Sequence, residues 1–238
     1  MKLYFLIAGI LMSGITCLKA QDADDILQKH IQAIGGAENW DKIKTMKATG
    51  IDKYMGAQVE LTNTLVTGKA LRMDMVLGGY PTYQVLTINK GWVGFPYSDK
   101  DKVDTVVEEN AYSYLPILNM KRSQFIDYKT TGFKAAYAGK DTIDARPCYK
   151  IKLTDKKDNV YIAFIEEATW YLLRTERTIK KDDDEKDFPI DYDNYKKLDA
   201  GITMPMSYRT INGAIEMKKI EVNQPVDESI FAHLVQKK

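Results

Sequence analysis

Cysteine is almost absent from this chain, two residues in 238, and histidine is equally scarce. Cys17 falls in an apolar leader, so Cys148 would stand alone in the processed chain. An intramolecular disulfide is then excluded and the fold must rest on its core. The run Cys148-Tyr149-Lys150-Ile151-Lys152-Leu153 alternates, which sets Cys148 on one strand face and Tyr149, Ile151 and Leu153 on the other. With no His or second Cys near it, Cys148 reads as a structural thiol. His30 and His233 have no partner at ligand spacing, so no metal is assigned to either. Also missing are HExxH, Gly-x-Ser-x-Gly and a Gly-rich phosphate loop. No nucleophile and base stand together, and the chain reads as a non-enzyme without a cofactor.

An excess of charge of one sign is missing too. Lys2 and Lys19 lie in the leader, so 34 basic residues become 32 against 33 acidic ones. No basic stripe marks a nucleic-acid surface. The acidic run Asp182-Asp183-Asp184-Glu185 lacks the alternating oxygen ligands, glycine and distal Glu of a calcium loop, and reads as a solvated hairpin tip. Asp191 and Asp193 share a strand face and read as surface residues. Long apolar runs are limited to Leu3 to Ile15, about 13 residues, where a spanning helix needs roughly 20.

That run, with Lys2 before it and Leu18-Lys19-Ala20 after it, has the shape of a secretory signal. Residues 1–20 are expected to be cleaved on export to the periplasm, leaving 21–238 as one domain. The competing reading is a lipid anchor on Cys17, for which Gly14-Ile15-Thr16 is a poor approach.

Asp22 and Asp24 suit a helix start, and Ile26, Leu27, His30, Ile31 and Ile34 recur at three- and four-residue steps up to Gly35-Gly36. A second short helix from Ala37 would bury Trp40 and Ile43. From Thr45 the period becomes two. Strands are expected at 45–54, 59–67, 69–77, 82–89 and 91–95, then at 133–138, 146–153, 159–165, 171–179, 189–198, 202–210 and 214–222. Short turns such as Gly78-Gly79 and Asn212-Gly213 separate them, so the sheet is antiparallel and large enough to curl. Between the two runs, Val106, Val107, Tyr114, Leu115, Leu118, Phe125 and Ile126 fit a helical stripe broken at Pro116.

Several patches, in order, resemble a known family. Ile31-Gln32-Ala33-Ile34-Gly35-Gly36-Ala37-Glu38-Asn39-Trp40, then Ile43 to Gly50, Leu71-Arg72-Met73-Asp74-Met75, Gly91-Trp92-Val93, Cys148 to Leu153, Leu198 to Pro205 and Asn223 to Phe231 are similar to the exported outer-membrane lipoprotein-sorting-like proteins of the LolA/LolB-like carrier superfamily. The resemblance implies an α+β, mainly β fold: a half-open antiparallel barrel of about eleven strands with helices across its mouth. It also implies a carrier that holds a lipid, acyl chain or lipoprotein in an apolar cavity under a helical lid, with a possible membrane-surface or envelope protein partner; a monomer that binds no nucleic acid is expected. The alternative is an envelope scaffold or accessory protein whose interior is filled.

Candidate lining residues follow. Met73 and Met75 share one strand face, and methionine adapts to varied apolar ligands. Trp92 with Phe95, and Tyr114, Leu115 and Leu118 of the insertion, would give wall and lid. The same side chains would equally serve to fill a closed core. Arg72 falls on the face opposite Met73, and the resemblance implies for it a lid-holding hydrogen bond.

Overall fold

The computed structural model describes residues 22–54, 56–87, 91–94, 103–106, 125–126, 128–156, 158–181, 184–211 and 213–232. Helix α1 (Ala23–Ala33) is capped by Asp22, whose side chain accepts from the Asp24 amide at 3.1 Å. Its apolar stripe of Ile26, Leu27 and Ile31 is buried, as is His30. At Gly35 and Gly36 the backbone turns to positive φ and the chain enters helix α2 (Ala37–Asp41). This corner is pinned from two sides. Trp40 Nε1 donates to the Ile34 carbonyl at 3.0 Å, and the Thr203 amide donates to the same oxygen at 2.8 Å.

Thirteen strands follow among the described residues. The first six are β1 (Thr45–Tyr54), β2 (Ala57–Val66), β3 (Ala70–Leu77), β4 (Tyr80–Thr87), β5 (Gly91–Gly94) and β6 (Val103–Val106). A one-turn helix α3 (Tyr128–Thr131) precedes β7 (Lys134–Ile143), β8 (Arg146–Thr154), β9 (Val160–Glu166) and β10 (Leu172–Lys181). The last three strands are β11 (Asp184–Lys197), β12 (Thr203–Thr210) and β13 (Gly213–Val222), and a 3-10 turn at Glu228–Phe231 ends the described chain. All thirteen strands form one antiparallel sheet in the order β6-β5-β4-β3-β2-β1-β13-β12-β11-β10-β9-β8-β7. Two meanders are joined where β1 meets β13. The outer strands β6 and β7 do not pair with each other, so the sheet is open.

Curvature follows from what the helices touch. One core cluster packs Ile26 and Leu27 of α1 on Tyr149, Ile151 and Leu153 of β8 and on Ala163 and Ile165 of β9. A second packs Ile34, Trp40 and Ile43 on Met46, Leu65, Leu71 and Leu86 of β1 to β4 and on Ile202 and Met204. In the sheet order β4 and β8 are nine strand spacings apart, about 43 Å if flat at ~4.8 Å each. Helix α1 has 11 residues, roughly 16 Å at 1.5 Å per residue. Even drawn out as one straight helix, the stretch from Ala23 to Ile43 that carries both contacts would reach only about 32 Å at 1.5 Å per residue, too short for a flat sheet, so the sheet curls around the helices as a half-open barrel. The face toward α1 and α2 is its inner face.

The outer face carries two smaller clusters: Ile143, Cys148, Phe164 and Leu173 on one limb, and Ala70, Val85 and Phe231 on the other. Cys148 stands on the opposite face from Tyr149, Ile151 and Leu153, as its alternation requires.

The structure corrects one reading. Val106 belongs to strand β6 rather than to a helical stripe, because four residues of mixed pattern fit either period and pairing with Gly91 decides it. The open sheet accords with the half-open barrel of about eleven strands that the resemblance implied, thirteen being counted among the described residues with the four-residue edge strands β5 and β6 included. Residues 107–124, with Tyr114, Leu115, Pro116 and Leu118, lie outside the described residues.

Candidate ligand-binding face

Strand β3 sorts its side chains by alternation. Leu71, Met73 and Met75 share the inner face, and Ala70, Arg72 and Asp74 the outer one. Leu71 is fully in the core, Met73 packs at its margin, and Met75 is half-buried beyond it. Cross-strand pairs extend these rows: Met73 lies opposite Asn63 and Gln84, and Met75 opposite Leu61 and Thr82. Farther along, the row runs through Val59, Asp52, Ile215, Tyr208 and Tyr192. The inner face is therefore packed solid under α1 and α2, and beyond them becomes a half-buried surface of methionine, isoleucine and tyrosine.

The tyrosines are fixed by their hydroxyls and rings. Tyr192 and Tyr208 meet edge to face at 5.7 Å, and the Tyr192 hydroxyl lies 3.0 Å from Thr175 Oγ1. Tyr171 stacks on Tyr195 at 4.3 Å, and the Tyr195 hydroxyl donates to the Leu172 carbonyl at 2.7 Å. Burial pushes the phenols of Tyr192, Tyr195 and Tyr208 up, so all three stay neutral hydrogen-bonding groups. Asp52 stands on the same face, and burial raises its carboxyl above the usual range.

Arg72 points away from this face. Its Nε donates to both Asp74 oxygens, at 2.8 and 3.0 Å, Nη2 donates to Oδ1 at 2.7 Å, and Nη1 donates to the Ile230 carbonyl at 2.8 Å. Its guanidinium also lies 4.4 Å from the Tyr83 ring centre. These bonds fasten the C-terminal segment to the outer face; the segment that the lid-holding role concerns lies outside the described residues. Trp92 is paired with Val85, in the register row of Arg72 rather than that of Met73. Phe95 lies outside the described residues. The structure thus brings Met73 and Met75 together on the inner face and sets Arg72 on the other.

Two features escaped the sequence. Asp191 is half-buried rather than a plain surface residue: burial works to raise its carboxyl, but hydrogen bonds from Arg174 and Arg209 outweigh it and hold the carboxyl low. Arg177 lies on the inner face, its Cζ 5.7 Å from the Tyr161 ring centre, with its Nε buried and unbonded. Strand alternation from Thr175 would have placed it there, but a lone strand arginine reads as solvent-facing.

Among the described residues no three His, Cys, Asp or Glu side chains converge as a metal would require. No described helix is long and apolar enough to cross a membrane.

Neither a protein-family model nor a curated protein matches the chain by sequence. Solved structures do. A DUF1329-family protein from Desulfovibrio piger superposes with TM-score 0.61 at 13% identity, covering 90% of this chain and 98% of its own. A domain assigned to outer membrane lipoprotein sorting from Vibrio parahaemolyticus gives 0.59 at 12% identity, over 87% and 95%. A LolA superfamily protein from Nitrosomonas europaea gives 0.58 at 10% identity, over 90% and 99%. At such identities the likeness is one of architecture, and that architecture, the open antiparallel sheet curled around its helices, is LolA-like.

Proposed function

We propose that the chain is an exported, non-enzymatic carrier that holds a lipid, acyl chain or lipoprotein on the inner face of its half-barrel, in the periplasm. The observation that carries this reading is the change along the inner face, from solid packing under α1 and α2 to half-buried Met73, Met75, Ile215 and Tyr208 at its margin and beyond. Apolar side chains on a concave face, at and beyond the margin of the cluster that α2 fills, suit an apolar guest. Burying roughly 300 to 500 Å² of acyl surface at about 25 cal/mol per Å² contributes on the order of 10 kcal/mol before association costs. The fold of the lipoprotein-sorting and LolA superfamily structures adds support by analogy.

The test is native mass spectrometry with lipid extraction on the wild type and on a Met73→Asp, Met75→Asp double variant. The expected result is co-purifying lipid in the wild type and its loss from a variant that remains folded. Equal retention in both would move the site elsewhere. A lipid-free wild type that captures an envelope protein would favour the scaffold reading.

A further inference from the structure

Five arginines are described, and four of them have an anionic partner. Arg72 pairs with Asp74, Arg146 with Asp193, Arg174 with Asp191, and Arg209 with Asp144 and Asp191. Among the described residues Arg177 alone has none, and its Nε is buried without a hydrogen bond. Arg177 as a whole is half-buried, but its Nε–H is taken out of water without a partner, which is costly because buried polar groups are nearly always bonded.

Register places it on the ligand side. Arg177 is paired with Tyr161, which is paired with Leu153 of the inner core. The Tyr161 ring lies beside the guanidinium and is itself set edge-on by Phe133 at 5.8 Å. The cation is thus held against an aromatic wall, on the same face as Met73 and Met75.

Asp52, the half-buried carboxylate of this face, stands on β1, four strand spacings from β10, about 19 Å along the sheet. An anion is therefore attracted at β10 and repelled at β1, which gives the face a direction.

We propose that Arg177 receives the carboxylate of a fatty acyl ligand, whose chain then lies across β11 to β13 over Tyr192, Tyr208 and Ile215. A carboxylate is chosen because its two oxygens match the fork of one guanidinium and its single charge neutralises it. This inference rests on the reading of the inner face as an acyl site.

The experiment compares dodecanoate, dodecan-1-ol and dodecyl phosphate by titration calorimetry on the delipidated protein, with Arg177→Leu and Arg177→Lys variants. The wild type is expected to bind dodecanoate about 10-fold or more tighter than the alcohol, as a charge-assisted pair allows. In Arg177→Leu that ratio falls to about one while the alcohol binds as before, and Arg177→Lys keeps part of it. Arg177→Leu is expected to melt no lower than wild type, since it removes an unpaired charge; should it not fold, the lysine variant carries the comparison. Equal binding of acid and alcohol to the wild type, an advantage that survives in Arg177→Leu, or a preference for the phosphate would overturn the carboxylate site and leave the carrier reading standing. No binding of any of the three would remove both.

Discussion

His30 Nδ1 lies 2.8 Å from the carbonyl oxygen of Trp170, so the imidazole carries its proton on Nδ1 and donates it across the core from α1 to the β9–β10 turn. The ring also meets Phe125 edge to face at 5.7 Å. Burial pushes the His30 pKa down to about 4, and the hydrogen bond to Trp170 recovers only part of the loss. A group with a folded pKa below its unfolded one stabilises the fold fully above the unfolded value, near 6.5, and loses that contribution as pH falls toward 4. The expected loss across this window is on the order of 3 kcal/mol. Urea midpoints at pH 7.5, 5.5 and 4.5 measure it, and His30→Gln, which can still donate to Trp170, should flatten the slope. An unchanged slope in that variant would assign the pH dependence to other groups.

The corner between α1 and α2 allows a sharper test. Gly35 has φ of 110°, and a Cβ there would stand 2.3 Å from the Gly201 carbonyl oxygen and 2.8 Å from the Ile202 Cα. Both are backbone atoms of one packed segment, so no flexible side chain is there to yield. Gly35→Ala is expected to cost roughly 3 kcal/mol or more, combining positive-φ strain with the clash. Gly68→Ala is the control: its φ is also positive, at 71°, but open space surrounds it, and about 1 kcal/mol is expected from strain alone. Similar losses at the two sites would show that the corner tolerates displacement.

The strands were legible because alternation and turn residues are local signals. Twelve of the thirteen coincide with segments read from the sequence, and the exception, β6, is four residues whose pattern fits two periods. The faces of Met73, Arg72 and Cys148 were legible for the same reason. Partners were not. That Arg72 grips Ile230, 158 positions away, depends on where the C-terminal segment crosses the outer face, and no local pattern encodes such a crossing. The isolation of Arg177 was illegible in the same sense, since it is defined by which carboxylates stay out of reach.

The grip of Arg72 on the C-terminal segment has a measurable consequence. Phe231 buries its ring against Ala70 and Val85, and Arg72 closes this contact by donating to the adjacent carbonyl of Ile230. Arg72→Ala removes that bond and the fork to Asp74, together about 2 kcal/mol for a half-exposed, charge-assisted pair. Local opening of residues 223–232 should become roughly 30-fold more frequent. Limited proteolysis followed by mass spectrometry reads this directly. Faster cleavage at the C-terminal segment is the expected outcome; faster cleavage confined to 107–124 would instead be the signature of the lid-holding role.

Cys148 completes the set. Its side chain is fully buried on the outer face, and Sγ donates to the Arg146 carbonyl at 3.2 Å. Burial raises the thiol pKa, so the reactive thiolate is depleted at neutral pH as well as shielded. Iodoacetamide should therefore leave the native protein unlabelled at Cys148 and modify it only as the sheet opens, at a rate that rises with urea in step with unfolding. Cys148→Ala removes the sulfur from a packed cluster with Ile143, Phe164 and Leu173, and a loss of about 1 to 2 kcal/mol is expected from the resulting void. Rapid labelling of the folded protein would mean that the β7–β8 edge opens without global unfolding. Hydrogen exchange at the Lys150 and Lys152 amides, which lie on β8 between the two partner strands, would then be fast as well.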